Sequence, residues 1–304
     1  MSSMRLAVTG GAGFIGSYLA KEIIAQGHTP VIIDSLFRGN LENLASIRDY
    51  EFYKTDIRDL EGLRNSLKNV DGVFHEAALT DVQESFTKQE EYADVNVRGT
   101  ENVFKIAKEI GIKVVYASSS SIYGNPEKIP VTENSKRSPI NPYGNTKLED
   151  EFLAEKYVKE KVSIIGLRYF NVYGKGQTGS YAGVITKFIN QLKAQKQPII
   201  FGHGTQVRDF IFVEDIARAN LAAMKSKVAS GFFNVGTGVT TSIQHLAYTM
   251  IELSGLDLKP KYENSLEGDV QNSQADTTLT KKTLDWQYTI NLKDGLAKFF
   301  PLPS

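Results

Sequence analysis

The 304-residue chain contains no cysteine, and that one absence removes disulfides, thiolate nucleophiles and zinc–thiolate sites together. Histidine is scarce. His28, His75, His203 and His245 stand apart without the spacing of metal ligands, so no metal site is expected. An excess of either charge is also missing. The 35 Lys+Arg balance 35 Asp+Glu, which leaves neither the basic footprint of a nucleic-acid binder nor a polybasic membrane anchor. No apolar run approaches bilayer-spanning length, and Met1 to Leu6 runs straight into a strand with no room for a signal peptide. The expectation is a soluble cytoplasmic protein with no nucleic-acid or membrane partner. What is present is globular: 41% hydrophobic and 23% charged residues suffice for a sizeable core, without internal repeats or low-complexity tracts.

Short β-type runs alternate with helical patterns through the first two-thirds of the chain. Strands are predicted at Arg5–Thr9, Pro30–Asp34, Glu51–Thr55, Gly72–His75, Lys113–Ser118 and Val162–Arg168. Helices separate most of them: one runs to about Gln26, and others span Glu84–Ile110 and Pro142–Glu160. Such alternation builds crossover units and a parallel sheet covered on both faces, an α/β fold of the Rossmann-type, doubly wound kind. Beyond Asn171 the rhythm breaks. Gly174 to Ser180 is glycine-rich and polar, a helix is predicted near Val184–Ala194, and Ile199–Phe201 and Val207–Val213 read as extended. One more helix, Ser242–Ser254, follows. These later pieces form a smaller C-terminal lobe. The expected division is 1–170 plus about 208–238 for a nucleotide-binding domain, and 171–207 plus about 239–304 for the substrate lobe.

The stretch Val8-Thr9-Gly10-Gly11-Ala12-Gly13-Phe14-Ile15-Gly16 leaves the first strand and enters the first helix. Glycines 11, 13 and 16 fit the dinucleotide fingerprint, and 10, 13 and 16 its close variant. One permits the tight turn, one the approach of the pyrophosphate, and one the packing of helix on strand. The phosphates then sit at a helix N-terminus, where free N–H groups and the dipole favour negative charge. Gly10, Gly13, Phe14, Ile15 and Gly16 are therefore assigned to the cofactor. Asp34 closes the second strand, where a carboxylate accepts bonds from ribose hydroxyls and repels a 2′-phosphate. Ser35, Arg38 and Gly39 of the loop that follows are assigned to the cofactor as well, and Arg38 raises the opposite possibility of binding a phosphate. The carboxylate holds the motif position, so the expected cofactor is NAD.

Tyr143 and Lys147 lie four residues apart on one predicted helix and so share a face. A free phenol ionises near ~10, and bringing one into use as a base near neutrality takes about 4 kcal/mol. An ammonium at ~4 Å, with an effective dielectric near ~20, supplies roughly that amount. Ser119, at the end of the fifth strand, can hydrogen-bond the reacting hydroxyl. A Tyr and a Lys at this spacing also occur by chance on many helices. Here the strand-end serines, the nucleotide loop and Asn141-Pro142 at the helix start mark a site for moving a hydride to or from an alcohol carbon.

With these residues in place, the chain resembles the extended short-chain dehydrogenase/reductases of the NAD-dependent nucleotide-sugar epimerase and dehydratase group. The likeness runs through the glycine loop, Asp56-Ile57, Ala77-Ala78-Leu79, Asn96-Val97-Arg98-Gly99-Thr100, Ser118 to Gly124 and Tyr143 to Lys147. It continues through Arg168-Tyr169-Phe170-Asn171, Arg208-Asp209-Phe210, Asn234-Val235-Gly236 and Gly268-Asp269. Within the group it is most like the UDP-galactose (UDP-glucose) 4-epimerases. The resemblance makes Ser119, rather than Ser118 or Ser120, the catalytic hydroxyl beside Tyr143 and Lys147. It places Asp56 and Ile57 at the adenine, Ala77, Ala78, Leu79 and Thr80 along the cofactor, and Asn96, Tyr143, Lys147 and Phe170 around the nicotinamide half. For the substrate it points to Asn171 and Arg208 at the diphosphate and Phe201 beside the base, with Ser119, Tyr143, Asp269 and Ser273 completing the set. Ordinary core is the alternative for Phe201, and a surface ion pair the alternative for Arg208.

Dehydratases and some decarboxylases of the group carry acidic residues just after the catalytic hydroxyl. Ser120 and Ser121 stand there instead, and neither is a general acid or base at ordinary pH. Reversible 4-epimerisation of a UDP-hexose through a 4-keto sugar is therefore expected, ahead of a 4,6-dehydratase, decarboxylase or reductase. Two departures from the group's pattern stand out. Leu266 occupies a position where an arginine usually holds the diphosphate. Ser273 replaces a bulky residue of some relatives, leaving room for a 2-acetamido group, so UDP-GlcNAc/UDP-GalNAc are expected alongside UDP-Glc/UDP-Gal. The resemblance also implies a homodimer, with helices near Gln83–Ile110 and Pro142–Glu160 forming a four-helix seam.

Overall fold

Strand order decides where a ligand can sit in this protein. The structure, a computed structural model, describes residues 3–177, 183–266 and 269–300. Strands β1 (Arg5–Thr9), β2 (Thr29–Asp34), β3 (Glu51–Lys54), β4 (Gly72–His75), β5 (Lys113–Ser119) and β6 (Ile164–Tyr169) run parallel in the order β3-β2-β1-β4-β5-β6. A seventh strand from late in the chain, Gly231–Val235, extends the sheet in parallel beside β6. The direction of progression reverses between β1 and β4. At such a switch point, connections leave to opposite faces and open a crevice at the C-terminal strand ends.

The inner strands are mostly apolar because both sheet faces are covered there, whereas the edge strand β3 stays partly exposed. Alternate residues feed two cores. Leu6, Val8, Ile32, Phe74 and Val115 pack on one side, and Ala7, Val31, Ile33, Val73, Val114 and Tyr116 on the other. Helix α1 (Phe14–Ala25) covers the first side through Leu19, Ala20 and Ile23. The second side is covered by α2 (Leu60–Ser66) and by helices of the 82–110 and 142–159 segments.

The uninterrupted helix expected over Glu84–Ile110 is divided. It forms α3 (Val82–Thr87), α4 (Gln89–Tyr92), a wide π-type turn over Ala93–Arg98, and α5 (Gly99–Ile110). Asp81 caps α3 by accepting from the Glu84 N–H at 3.0 Å. The wide turn lets the buried Asn96 amide reach three partners: the N–H of Leu79 at 2.8 Å, its carbonyl at 3.0 Å and Thr146 Oγ1 at 3.0 Å. Local periodicity carries no trace of those bonds. Helix α6 (Pro142–Lys159) starts where expected, with Asn141 accepting from the Gly144 N–H at 2.8 Å and Pro142 in the first turn.

The later segments build the smaller lobe. They are β7 (Asn171–Tyr173), α7 (Val184–Lys193), β8 (Ile199–Phe201), β9 (Val207–Phe212), α8 (Val213–Lys225), β10 (the seventh strand above), β11 (Thr240–Ser242), α9 (Ile243–Ser254), β12 (Lys261–Glu263), α10 (Thr278–Leu284) and α11 (Leu292–Ala297). β9 sits between β11 and β7, while β12 pairs with β8. The expected division counted β9 with the nucleotide-binding domain; the chain instead returns to the large sheet through α8 and β10. Phe188, Ile200, Phe212, Leu246 and Met250 centre the lobe's own core. Thr178 to Ser180 of the polar stretch, and Gly268 of the Gly268-Asp269 pair, lie outside the described residues. Among the described residues no helix is long and apolar enough to cross a membrane.

Candidate active site

Two adjoining cavities open at the C-terminal ends of the large sheet, with Thr80 and Gln177 on the walls of both. The smaller, about 360 Å³, is lined by Gly10, Gly13, Phe14, Ile15 and Gly16, by Asp34, Ser35, Arg38 and Gly39, and by Asp56, Ile57, Ala77, Ala78, Leu79 and Thr80. Sequence reasoning assigned every one of these to the cofactor. Two of the glycines are required by contact. Gly10 has φ +67°, and a Cβ there would lie 2.8 Å from the Ala77 backbone; a Cβ on Gly16 would lie 2.2 Å from the Gly10 carbonyl.

Asp34 is fixed at the wall of this cavity. Its carboxylate oxygens accept from the N–H groups of Leu36 at 2.8 Å and Ala12 at 3.0 Å. Burial pushes its pKa up, while those two bonds pull it back. Each oxygen keeps lone pairs for a ribose hydroxyl. Arg38 is salt-bridged to Glu84, so its charge already faces a carboxylate rather than a 2′-phosphate. The donor set fits NAD.

The larger cavity, about 810 Å³, brings together Ser119 at the end of β5 and Tyr143 in the first turn of α6. Ser119 Oγ accepts from the Ser121 N–H at 3.2 Å and lies 2.8 Å from the Ser121 hydroxyl. Ser118 turns away and donates to Glu151 at 2.7 Å, which supports the choice of Ser119. Lys147 lines neither cavity. It is 3% exposed, with its ammonium 3.1 Å from Asp150 Oδ2. Burial alone would lower its pKa, but the charges of Asp150 and Tyr143 outweigh burial and raise it. The result is a permanent cation behind the phenol. Asp150 itself is pushed up to about 6 by burial, with Lys147 opposing.

Asn96 departs from expectation. It is fully buried and lines neither cavity; its amide braces Leu79 and Thr146, whose hydroxyl in turn donates to the Tyr143 carbonyl at 2.8 Å. It positions the wall rather than forming it, because the wide turn carries it behind the Leu79 backbone. His75 is held between the hydroxyls of Thr9 and Thr100 at 2.7 and 2.8 Å, and burial brings its pKa down to about 3.

Asn171, Phe201, Arg208, Asp269 and Ser273 all line the larger cavity, as does Phe170. Arg208 donates to Asp269 at 2.5 Å, an ion pair within the cavity wall rather than on the outer surface. Burial pulls its pKa down against the Asp269 charge. The neighbouring Asp209 points the other way and accepts from the N–H groups of Thr237, Gly238 and Ala275 at 2.8, 2.8 and 3.1 Å, which fixes the strand that presents Arg208.

Sequence reasoning passed over Glu76, Asp150, Gln177 and Lys187. Glu76 borders the smaller cavity; burial pushes its carboxyl up to about 8, against a Tyr169 hydroxyl that donates at 2.9 Å and the charge of Lys147. Its place just after a buried strand was an available signal.

Comparison with known proteins agrees with this geometry. Residues 6–236 match the model of the NAD dependent epimerase/dehydratase family. A putative UDP-glucose 4-epimerase of Methanocaldococcus jannaschii is 37% identical over 300 residues, covering 96% of this chain and 95% of that protein. The crystal structure of UDP-glucose 4-epimerase from Thermotoga maritima with UDP-glucose superposes with a TM-score of 0.92 at 35% identity, over 97% of this chain and 96% of that one. UDP-N-acetylglucosamine 4-epimerase from Methanobrevibacter ruminantium, in complex with UDP-N-acetylmuramic acid, gives 0.93 at 32% identity over 98% and 97%. The chain belongs to the NAD-dependent epimerase/dehydratase family and is an NAD-dependent enzyme of nucleotide-sugar chemistry.

Proposed function

We propose that the protein catalyses reversible epimerisation at carbon 4 of a UDP-hexose, UDP-glucose and UDP-galactose first among them, through a 4-keto intermediate. The observation that carries this reading is the pairing of Tyr143 and Ser119 on one cavity wall where Ser120 and Ser121, not carboxyl groups, follow the catalytic hydroxyl. Tyr143 takes the proton of the 4-hydroxyl while Ser119 holds that oxygen, and Lys147 stabilises the phenolate. The chemistry that bound NAD supplies is a hydride acceptor that later gives the hydride back, leaving no net redox change. The 4-keto sugar turns over in the cavity before reduction, and Tyr143 then returns the proton to the new hydroxyl. Elimination of water would need an acid and a base on the sugar carbons, which Ser120 and Ser121 do not supply.

Ser273 on the wall leaves space beside the sugar, so 2-acetamido substrates are accepted as well. The neighbour named as a UDP-N-acetylglucosamine 4-epimerase supports that extension. We propose further that two copies pair through α5 and α6, on a face where Phe152 is half exposed. The test of the central reading is a panel of nucleotide sugars incubated with purified protein and no added cofactor. Isomers of unchanged mass are expected; loss of water or carbon dioxide would assign a different reaction.

A further inference from the structure

The larger cavity must accept a diphosphate if the proposed substrate is right, and its charge lining is thin. Among the described residues two cations and two carboxylates line it: Arg208, Lys187, Asp269 and Asp81. Arg208 is already matched by Asp269 at 2.5 Å. Asp81 is engaged in capping α3. Leu266, where the resemblance would put an arginine, lines the cavity without charge. Lys187 alone of the four has no ion pair or side-chain hydrogen bond among the described residues.

Its position suits an anion. Helix α7 turns Val184, Lys187, Phe188 and Gln191 toward the cavity, the i, i+3, i+4 and i+7 positions of one face. Gly183 begins this ten-residue helix with no side-chain cap, and Gly183, Val184 and Ile185 also line the cavity. The uncapped backbone N–H groups and the helix dipole therefore add positive potential on the side where Lys187 stands. An ammonium on a long stem at a cavity rim reaches a phosphate at little cost in desolvation.

We propose that Lys187 is the second diphosphate-binding cation of this site, acting with Arg208 and making up for the uncharged Leu266. The inference rests on the nucleotide-sugar reading and deepens it. In consequence, the second cation on the diphosphate comes from α7 of the smaller lobe rather than from the segment before Asp269.

The test is direct binding of UDP and of uridine, by calorimetry, to the wild type and to Lys187→Ala, Lys187→Gln and Lys187→Arg. Loss of the cation should weaken UDP roughly tenfold or more, the range for a hydrogen bond to a charged group, while uridine binds as before. Lys187→Arg should stay near the wild type, and Leu266→Arg added to Lys187→Ala should restore much of the loss. UDP affinity that is equal in the wild type and Lys187→Ala overturns the role of Lys187 alone. Equal loss of UDP and uridine also overturns it, because the lysine then shapes the cavity rather than meeting phosphate. A wild type that binds neither ligand overturns the nucleotide-sugar reading, and this proposal with it.

Discussion

Asp150 stands 3.1 Å from the Lys147 ammonium, in a place where burial opposes both charges, and the pair survives there because each offsets the other. Tyr143 gains a fixed cation from that arrangement. Replacing it with Phe removes the proton acceptor but no packing atom beyond the hydroxyl. Tyr143→Phe should therefore lower kcat by roughly 10³-fold or more, while the NAD released on denaturation, measured spectroscopically, stays at the wild-type amount. Glu76 makes a second prediction at this scale. Its carboxyl is raised to about 8 from about 4.5, so between those values the native chain holds a proton that the unfolded chain has lost. The associated stability is full below about 4.5 and falls as pH rises through about 8. Glu76→Gln should flatten that fall in thermal midpoints measured across this window; an unchanged slope would contradict the assignment. At Ser273, substitution by Tyr should abolish turnover of UDP-GlcNAc and spare UDP-glucose, as a side-by-side assay would show. Residues joined by short motifs were legible in sequence: Gly10 to Gly16, Asp34, Ser119, and Tyr143 with Lys147. Asn96 was placed at the cofactor because sequence records neighbours along the chain and not which side of a wall a turn reaches. Asp150 and Glu76 act through burial, which no local pattern states.

Elements are tied around the site by a buried charge network. The Glu151 carboxylate on α6 accepts from Arg168 of β6 at 2.8 Å through both oxygens, from Ser118 of β5 at 2.7 Å and from Arg137 at 3.0 Å. Arg168 also donates to Tyr123, which donates to Asn234 of β10 at 2.7 Å. Four elements are thereby fixed in register just below Ser119. Removing one partner strands a charge in the core, so Arg168→Met should cost about 3–5 kcal/mol in urea unfolding. Replacing Arg168 and Glu151 together by apolar residues should cost less than the sum of the single changes. Arg168 and Asn234 stood out in the sequence only as parts of a resemblance; their partners come from strands and a helix far apart in the chain. For the same reason β10 and α8 were not read as elements. Gly231-Phe232-Phe233-Asn234-Val235 is short and opens on glycine, and α8 buries Asp215 and Asn220 among its apolar side chains, which interrupts the apolar stripe that sequence would show. The inner strands that lie between two helical layers were legible within a residue or two, because burial on both faces writes itself as an apolar run, and the partly exposed edge strand β3 was legible to within one residue.

Over the whole molecule, the large sheet supplies the smaller cavity and the small lobe closes the larger one, with Thr80 and Gln177 shared. That division suits the proposed reaction, in which the cofactor stays while substrates exchange. It also fits a reaction in which the same hydride leaves and returns. The proposed pairing through α5 and α6 predicts a dimer in light scattering, and Phe152→Glu should shift it toward monomer. The most direct test of the account uses UDP-glucose carrying deuterium at carbon 4, incubated with the purified protein and no added NAD. The account predicts UDP-galactose of unchanged mass that keeps its deuterium at carbon 4. Deuterium lost to solvent or to free cofactor, or a product short of water, would contradict it.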